Sequence, residues 1–209
     1  MLDHDQVVRL HGPWRSRSPE DAMAQLAGYE GQWWVAGGWA IDAFVGSSRN
    51  HGDLDLGIPR GSLGEFIEFV SPHLDAWAAA GSLTPLVGGS RTRLPVGTGN
   101  LWLRPSGAEP REYDVMLESV ENGTWTFKRD ERITRPLADC LWEHSGVTYL
   151  RPEVQLLLKA KNVRQKDDFD FERCLPKLGA GDLDWLLHGL SISHPAHQWI
   201  ERIGRQHNS

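Results

Sequence analysis

Cysteine is scarce: the 209 residues contain only Cys140 and Cys174, far apart and in no CxxC pattern. That excludes a disulfide-stapled scaffold and predicts a soluble cytoplasmic protein with two reduced thiols. Basic residues are outnumbered, with 22 Lys and Arg against 28 Asp and Glu, for a formal net charge of -6. Proteins that track polyanions usually carry a basic excess, so an extended nucleic-acid footprint is disfavoured. No apolar run approaches the ~20 residues of a membrane-spanning helix, and no basic flank precedes an apolar stretch near the N-terminus. Tyrosine is rare, at three, whereas tryptophan reaches ten. So many indoles are expected to line grooves as well as fill the core, since each offers a flat apolar face and a donor.

What is present reads as alternating helix and strand. Ser18-Pro19-Glu20-Asp21 starts a helix, with Ser18 as cap, Pro19 in the first turn and acids at the positive end. Gln32 to Ala36 reads as a short strand running into Gly37-Gly38, and Trp39 to Val45 as a helix stopped by Gly46. Asp53 to Ile58 alternates, apolar at 54, 56 and 58, which predicts a strand buried on one face. Leu63 to Ala80 reads as helical, divided at Ser71-Pro72. Asn100 to Arg104 and Arg111 to Glu118 suggest a hairpin around Pro105-Ser106-Gly107, with a further strand near Thr124 to Phe127. Pro152 opens a helix through EVQLLLKAKNVRQK, and others start near Asp167 or Asp168 and near Asp182. The expected fold class is α/β: a mixed-sheet domain over residues 1–145 and a helical C-terminal unit over 146–209.

Period-2 alternation puts Asp53 and Asp55 on one strand face. Two unit charges ~4 Å apart repel by about 4 kcal/mol at an effective dielectric near 20. Exposure to water, a shared proton or a divalent cation must offset this. A solvated strand edge would satisfy the first condition, so the pair alone decides nothing. Gly37-Gly38, between a strand and a helix, lets backbone N–H groups approach phosphate, although a flexible turn explains two glycines equally well. In the loop Gly46 to Gly52, Arg49 can neutralise a polyphosphate and His51 can donate to a phosphate oxygen. Phosphoryl chemistry needs such positioning and charge neutralisation more than covalent help. Magnesium binds through a few carboxylates together with substrate phosphates.

The run GGWAIDAFVGSSRNHGDLDL, Gly37 to Leu56, resembles the signature of the DNA polymerase beta-like nucleotidyltransferases. It is most similar to the aminoglycoside and lincosamide type, through Gly37, Gly38, Trp39, Ala40, Asp42, Gly46, Arg49, His51, Asp53 and Asp55. Many superfamily members carry Gly-Ser where this chain has Gly37-Gly38, so backbone N–H groups replace a serine contact. The resemblance implies ATP as co-substrate, one or two Mg²⁺ ions on Asp53 and Asp55, and a third carboxylate on a later strand. Asp114 is the choice for that carboxylate, as metal ligand or base, with Glu112 and Glu118 as its rivals on the same side. A looser similarity covers PEVQLLLKAKNVRQKDDFD, where Lys159, Asn162 and Lys166 fall on one helical face. Lys159 or Lys166 would contact the triphosphate with Asp167 orienting it, or the stripe is simply solvated. The implied acceptor is a hydroxyl of a small cationic antibiotic. The alternatives are a toxin-type enzyme acting on tRNA and a non-catalytic nucleotide-binding partner.

Overall fold

A computed structural model describes residues 6, 9–10, 12–47, 49–87 and 93–207. Its first elements are α1 (Pro19–Gln25), β1 (Trp34–Val35), α2 (Gly37–Val45), β2 (Asp55–Pro59) and α3 (Leu63–Val70). Strands β3 (Asp75–Ala79), β4 (Leu83–Pro85), β5 (Asn100–Arg104), β6 (Tyr113–Glu121), β7 (Thr124–Thr126) and β8 (Thr134–Pro136) follow. After α4 (Leu137–Cys140) comes the hairpin β9 (Leu141–His144) and β10 (Val147–Leu150). The chain closes on α5 (Pro152–Lys159), α6 (Gln165–Cys174), α7 (Ala180–Ser193) and α8 (Gln198–His207). These group into two compact units, residues 1–35 with 50–118, and residues 36–49 with 119–209. From Pro152 onward every described element is helical.

In the first unit the strands lie in the order β4-β3-β5-β6-β2-β1. The β2–β6 pair is parallel and the others are antiparallel. Leu54, Leu56 and Ile58, with Leu101, Leu103, Val115 and Leu117, form a buried apolar face. Ser18 caps α1 as expected, in a reciprocal box with Asp21. The expected helix over Leu63 to Ala80 ends at Val70, and Asp75–Ala79 is a strand instead. Its alanines favour helix locally, but Ala76 and Ala78 bury on alternate positions while the segment pairs with both β4 and β5. Tertiary pairing overrides propensity here.

In the second unit, α5 packs against α7, and α2 against α5 and α6. Phe171 stacks on Trp199 with ring centroids 4.5 Å apart. The long helix expected after Pro152 breaks: α5 ends at Lys159, a 3-10 turn covers Ala160–Asn162, and α6 begins at Gln165. Lys159 and Lys166 therefore sit on different helices, and the expected single face through Asn162 does not form. Trp34, Trp125 and Trp199 are completely buried. Both cysteines are buried and neither forms a disulfide. Burial, with the charge of Asp170, pushes the Cys174 thiol up to about 12. Among the described residues no helix is long and apolar enough to cross a membrane.

Gly57 shows how tightly the first sheet closes. A Cβ there would collide with the indole of Trp34, the register partner of Gly57 on β1. Trp34 is fully buried and has no room to retreat. Gly57→Ala should therefore destabilise the protein by about 1–3 kcal/mol, the usual cost of overpacking. A lowered urea midpoint would show it, and an unchanged midpoint would contradict the packing described.

Candidate active site

The parallel register of β2 on β6 sets Asp55 opposite Asp114, followed by Leu56 opposite Val115 and Ile58 opposite Leu117. Residues in register point to the same side of a sheet, on strands ~4.8 Å apart. The leucines, Val115 and Ile58 fill the core face, so alternation forces both carboxylates onto the other face. Asp55 and Asp114 are half-buried. Asn100 Nδ2 donates to Asp114 Oδ1 at 2.6 Å from the neighbouring β5. Trp102 is the register partner of Asp114 on that strand. The sheet thus brings together two of the three expected acids and adds Asn100, an interaction that no local sequence signal marked.

Asp53 differs from the expectation. It is exposed and precedes β2, which starts at Asp55, so Asp53 and Asp55 do not share a strand. The ladder reaches only one residue below the strand, where Asp114 N–H donates to the Leu54 carbonyl at 3.0 Å. Among the described residues no group of three or more His, Cys, Asp and Glu side chains is arranged to hold a metal. Asp55 and Asp114 remain a two-carboxylate oxygen set of the kind that magnesium accepts beside substrate phosphates.

The rival acids have other surroundings. Glu112 is 2% exposed and accepts from Arg15 at 2.8 Å and Arg17 at 2.7 Å, a clamp that holds the N-terminal segment to the sheet. Glu118 is buried at the far end of the parallel ladder, opposite Pro59. Burial pushes the neighbouring Tyr113 hydroxyl up to about 12. His51 is half-buried, and its carbonyl accepts from the Ser16 hydroxyl at 2.8 Å.

In the second unit, Gly37 and Gly38 form the first turn of α2 instead of a turn before it. Gly37 has φ 64°, in the left-handed region that glycine tolerates. Its N–H donates to Gln155 Oε1 at 2.7 Å in a buried contact, and no side chain caps the helix. Gly46 ends α2 in the left-handed conformation, as expected. Ser48 lies outside the described residues. Arg49 is engaged by acids: its guanidinium meets Asp170 at 2.8 Å and Asp42 at 3.6 Å. Asp42 also receives Arg173 at 3.0 Å and the Arg49 backbone N–H at 3.0 Å. Lys159 lies 2.9 Å from Asp167 and 3.1 Å from Asp170. Lys166 is exposed beside a shallow depression lined by Gln165, Asp168, Phe169 and Glu172.

Comparison with known proteins gives a consistent picture. The aminoglycoside-2''-adenylyltransferase family model matches residues 20–73. The solution structure of the antibiotic-resistance factor ANT(2'')-Ia is 19% identical over 100% of both chains, with a TM-score of 0.52. The crystal structure of ANT(2'')-Ia with adenylyl-2''-tobramycin is 17% identical over 81% of this chain and 92% of that one, TM-score 0.53. The lincomycin-bound lincosamide antibiotic adenylyltransferase LnuA is 14% identical over 73% and 90%, TM-score 0.49. No curated protein matches the chain. The likeness to the ANT(2'')-Ia structures shows the fold, the mixed α/β architecture expected from the sequence.

The ion pairs around Asp167 make a pH prediction. Burial pushes this carboxyl up, but the hydrogen bond from Arg164 and the charge of Lys159 outweigh it and hold the group at about 2. A depressed carboxyl contributes stability that is complete above its ordinary value of 3.8 and lost as pH falls toward 2. Between pH 5 and pH 2, Asp167→Asn should lose about 2 kcal/mol less unfolding free energy than the wild type. Urea titrations at the two pH values would measure this. Equal acid losses in both proteins would contradict it.

Proposed function

We propose that the chain is a nucleotidyltransferase that moves AMP from ATP onto a hydroxyl of a small cationic molecule of the aminoglycoside or lincosamide kind. One observation carries the reading: Asp55 and Asp114, both half-buried, stand in register on adjacent parallel strands and face the same side of the sheet. The aminoglycoside-2''-adenylyltransferase match over residues 20–73 supports it, as does the adenylyl-2''-tobramycin bound to the similarly folded ANT(2'')-Ia for the acceptor class. The net charge of -6 favours a cationic acceptor over a polyanion.

Asp55 and Asp114 would hold Mg²⁺, with the exposed Asp53 as a further ligand. When bound, the ion neutralises charge on the triphosphate. Asp114, oriented by Asn100, accepts the proton of the attacking hydroxyl. The hydroxyl oxygen bonds to the α-phosphorus, the bond to the β-phosphate oxygen breaks, and pyrophosphate leaves with that electron pair. His51 and the first-turn N–H groups at Gly37 and Gly38 are assigned to phosphate. The Gly37 N–H would first have to leave Gln155. Of the two candidate lysines Lys166 is the exposed one, whereas Arg49 and Lys159 would act while holding their acids. Residues 1–145 then carry the transfer chemistry and 146–209 the helical lysines. Two buried cysteines without a disulfide suit a cytoplasmic location.

The test is to incubate the protein with ATP and Mg²⁺ and, separately, aminoglycosides, lincosamides or bulk tRNA. Mass spectrometry should find an adenylyl adduct on a small molecule, with pyrophosphate released in step. Asp114→Asn should lower kcat by about 100-fold or more, with a smaller effect on ATP affinity. Asp55→Asn should abolish transfer without unfolding the chain. Label on tRNA alone would sink the substrate assignment, and no pyrophosphate with any acceptor would sink the enzymatic reading.

A further inference from the structure

The segment from Gly12 to Arg17 runs beside residues 109–112. Arg15 N–H donates to the Arg111 carbonyl at 2.7 Å and Arg111 N–H to the Pro13 carbonyl at 3.0 Å. The acids here pair with only two of the four arginines. Arg15 and Arg17 take up Glu112, Arg15 also takes Glu109 at 3.2 Å, and Asp21 lies 3.9 Å from Arg17. Arg104 and Arg111 are left with indole faces. The Arg104 guanidinium carbon lies 4.4 Å from the Trp77 ring centroid, and that of Arg111 lies 5.0 Å from Trp102. The Nε of each is sealed from solvent without a hydrogen-bond partner. Asp75, the register partner of Arg104, is exposed.

Arg111 is 3% exposed, so its charge has lost nearly all of its water. Guanidinium does not shed its proton in proteins, and an aromatic face offsets only part of that desolvation. Burial, then the charge of Arg104, pushes Arg111 down from its ordinary value: the two cations feel each other. We propose that Arg104 and Arg111, walled by Trp77 and Trp102, form a binding site for a phosphate-type oxyanion. A tetrahedral oxyanion offers oxygens to both guanidinium forks at once, which is the geometry that arginine recognises best. Trp102 is also the register partner of Asp114, so the site adjoins the acidic face of the same sheet. It stands whether or not the chain transfers nucleotides.

Isothermal titration calorimetry of the full chain tests this with inorganic phosphate, and separately ATP, in metal-free buffer at fixed ionic strength. Saturable one-to-one phosphate binding is expected. It should weaken at least about tenfold in Arg111→Met, less in Arg111→Lys, and severalfold in Arg104→Met. Arg104 is only half-buried, so its variant keeps the test decisive if Arg111→Met fails to fold. ATP that displaces phosphate and weakens in the same variants identifies the anion as a triphosphate tail. Undisturbed ATP binding identifies it as free phosphate. The proposal is overturned if the wild type binds neither anion saturably, or if folded variants bind phosphate as the wild type does.

Discussion

Two acidic side chains set opposite each other on neighbouring parallel strands must be held there against their own repulsion. The register of β2 on β6 does this through the opposite face of the sheet. Repulsion at ~4 Å is about 4 kcal/mol at an effective dielectric near 20. Full burial of one large aliphatic chain contributes about 1.5–3 kcal/mol. Leu54, Leu56, Ile58, Val115 and Leu117 are all buried behind the acids, and together they outweigh it. A one-residue slip would turn those chains to water and the acids into the core. The sheet can therefore present Asp55 and Asp114 side by side without a bound cation to hold them. Asn100 donates to one oxygen of Asp114 and so fixes the orientation of the carboxylate.

The second unit treats its acids in the opposite way. Asp42, Asp167 and Asp170 are nearly sealed from solvent, and each is paired: Asp42 with Arg49 and Arg173, Asp170 with Arg49 and Lys159, Asp167 with Lys159 and Arg164. Removing one partner of such a buried pair leaves a stranded charge, at a cost of about 3–5 kcal/mol. Asp42 and Arg49 belong to the nucleotidyltransferase-like signature, yet here both hold α2 and its following loop to α6. The signature thus mixes Asp55, on the face of the sheet away from its apolar core, with residues that keep the second unit together.

Much of this was legible in the chain. The alternation of Leu54, Leu56 and Ile58 revealed β2, Gly46 the end of α2, and Ser18-Pro19 the start of α1, because each is a local physical signal. Asp75–Ala79 was not, since its alanines read as helix and only pairing with β4 and β5 makes it a strand. The break at Ala160–Asn162 was missed for the same reason: nothing in KAKN forbids a continuous helix. The partners of Arg49, Lys159 and Asp114 were hidden because contacts such as Arg49 with Asp170 and Asn100 with Asp114 join positions without a shared period. The start of β2 was misplaced because the alternation from Asp53 extends two residues beyond the strand, which begins at Asp55.

If Asp55 and Asp114 act as one site, neither is useful without the other. The direct measurement is a double-mutant cycle on ATP-dependent transfer, comparing Asp55→Asn, Asp114→Asn and the double variant. Residues that act as a unit give strongly non-additive losses. The account predicts that the double variant is scarcely slower than the worse single variant. Two single losses that multiply in the double variant would show independent roles and contradict the shared site.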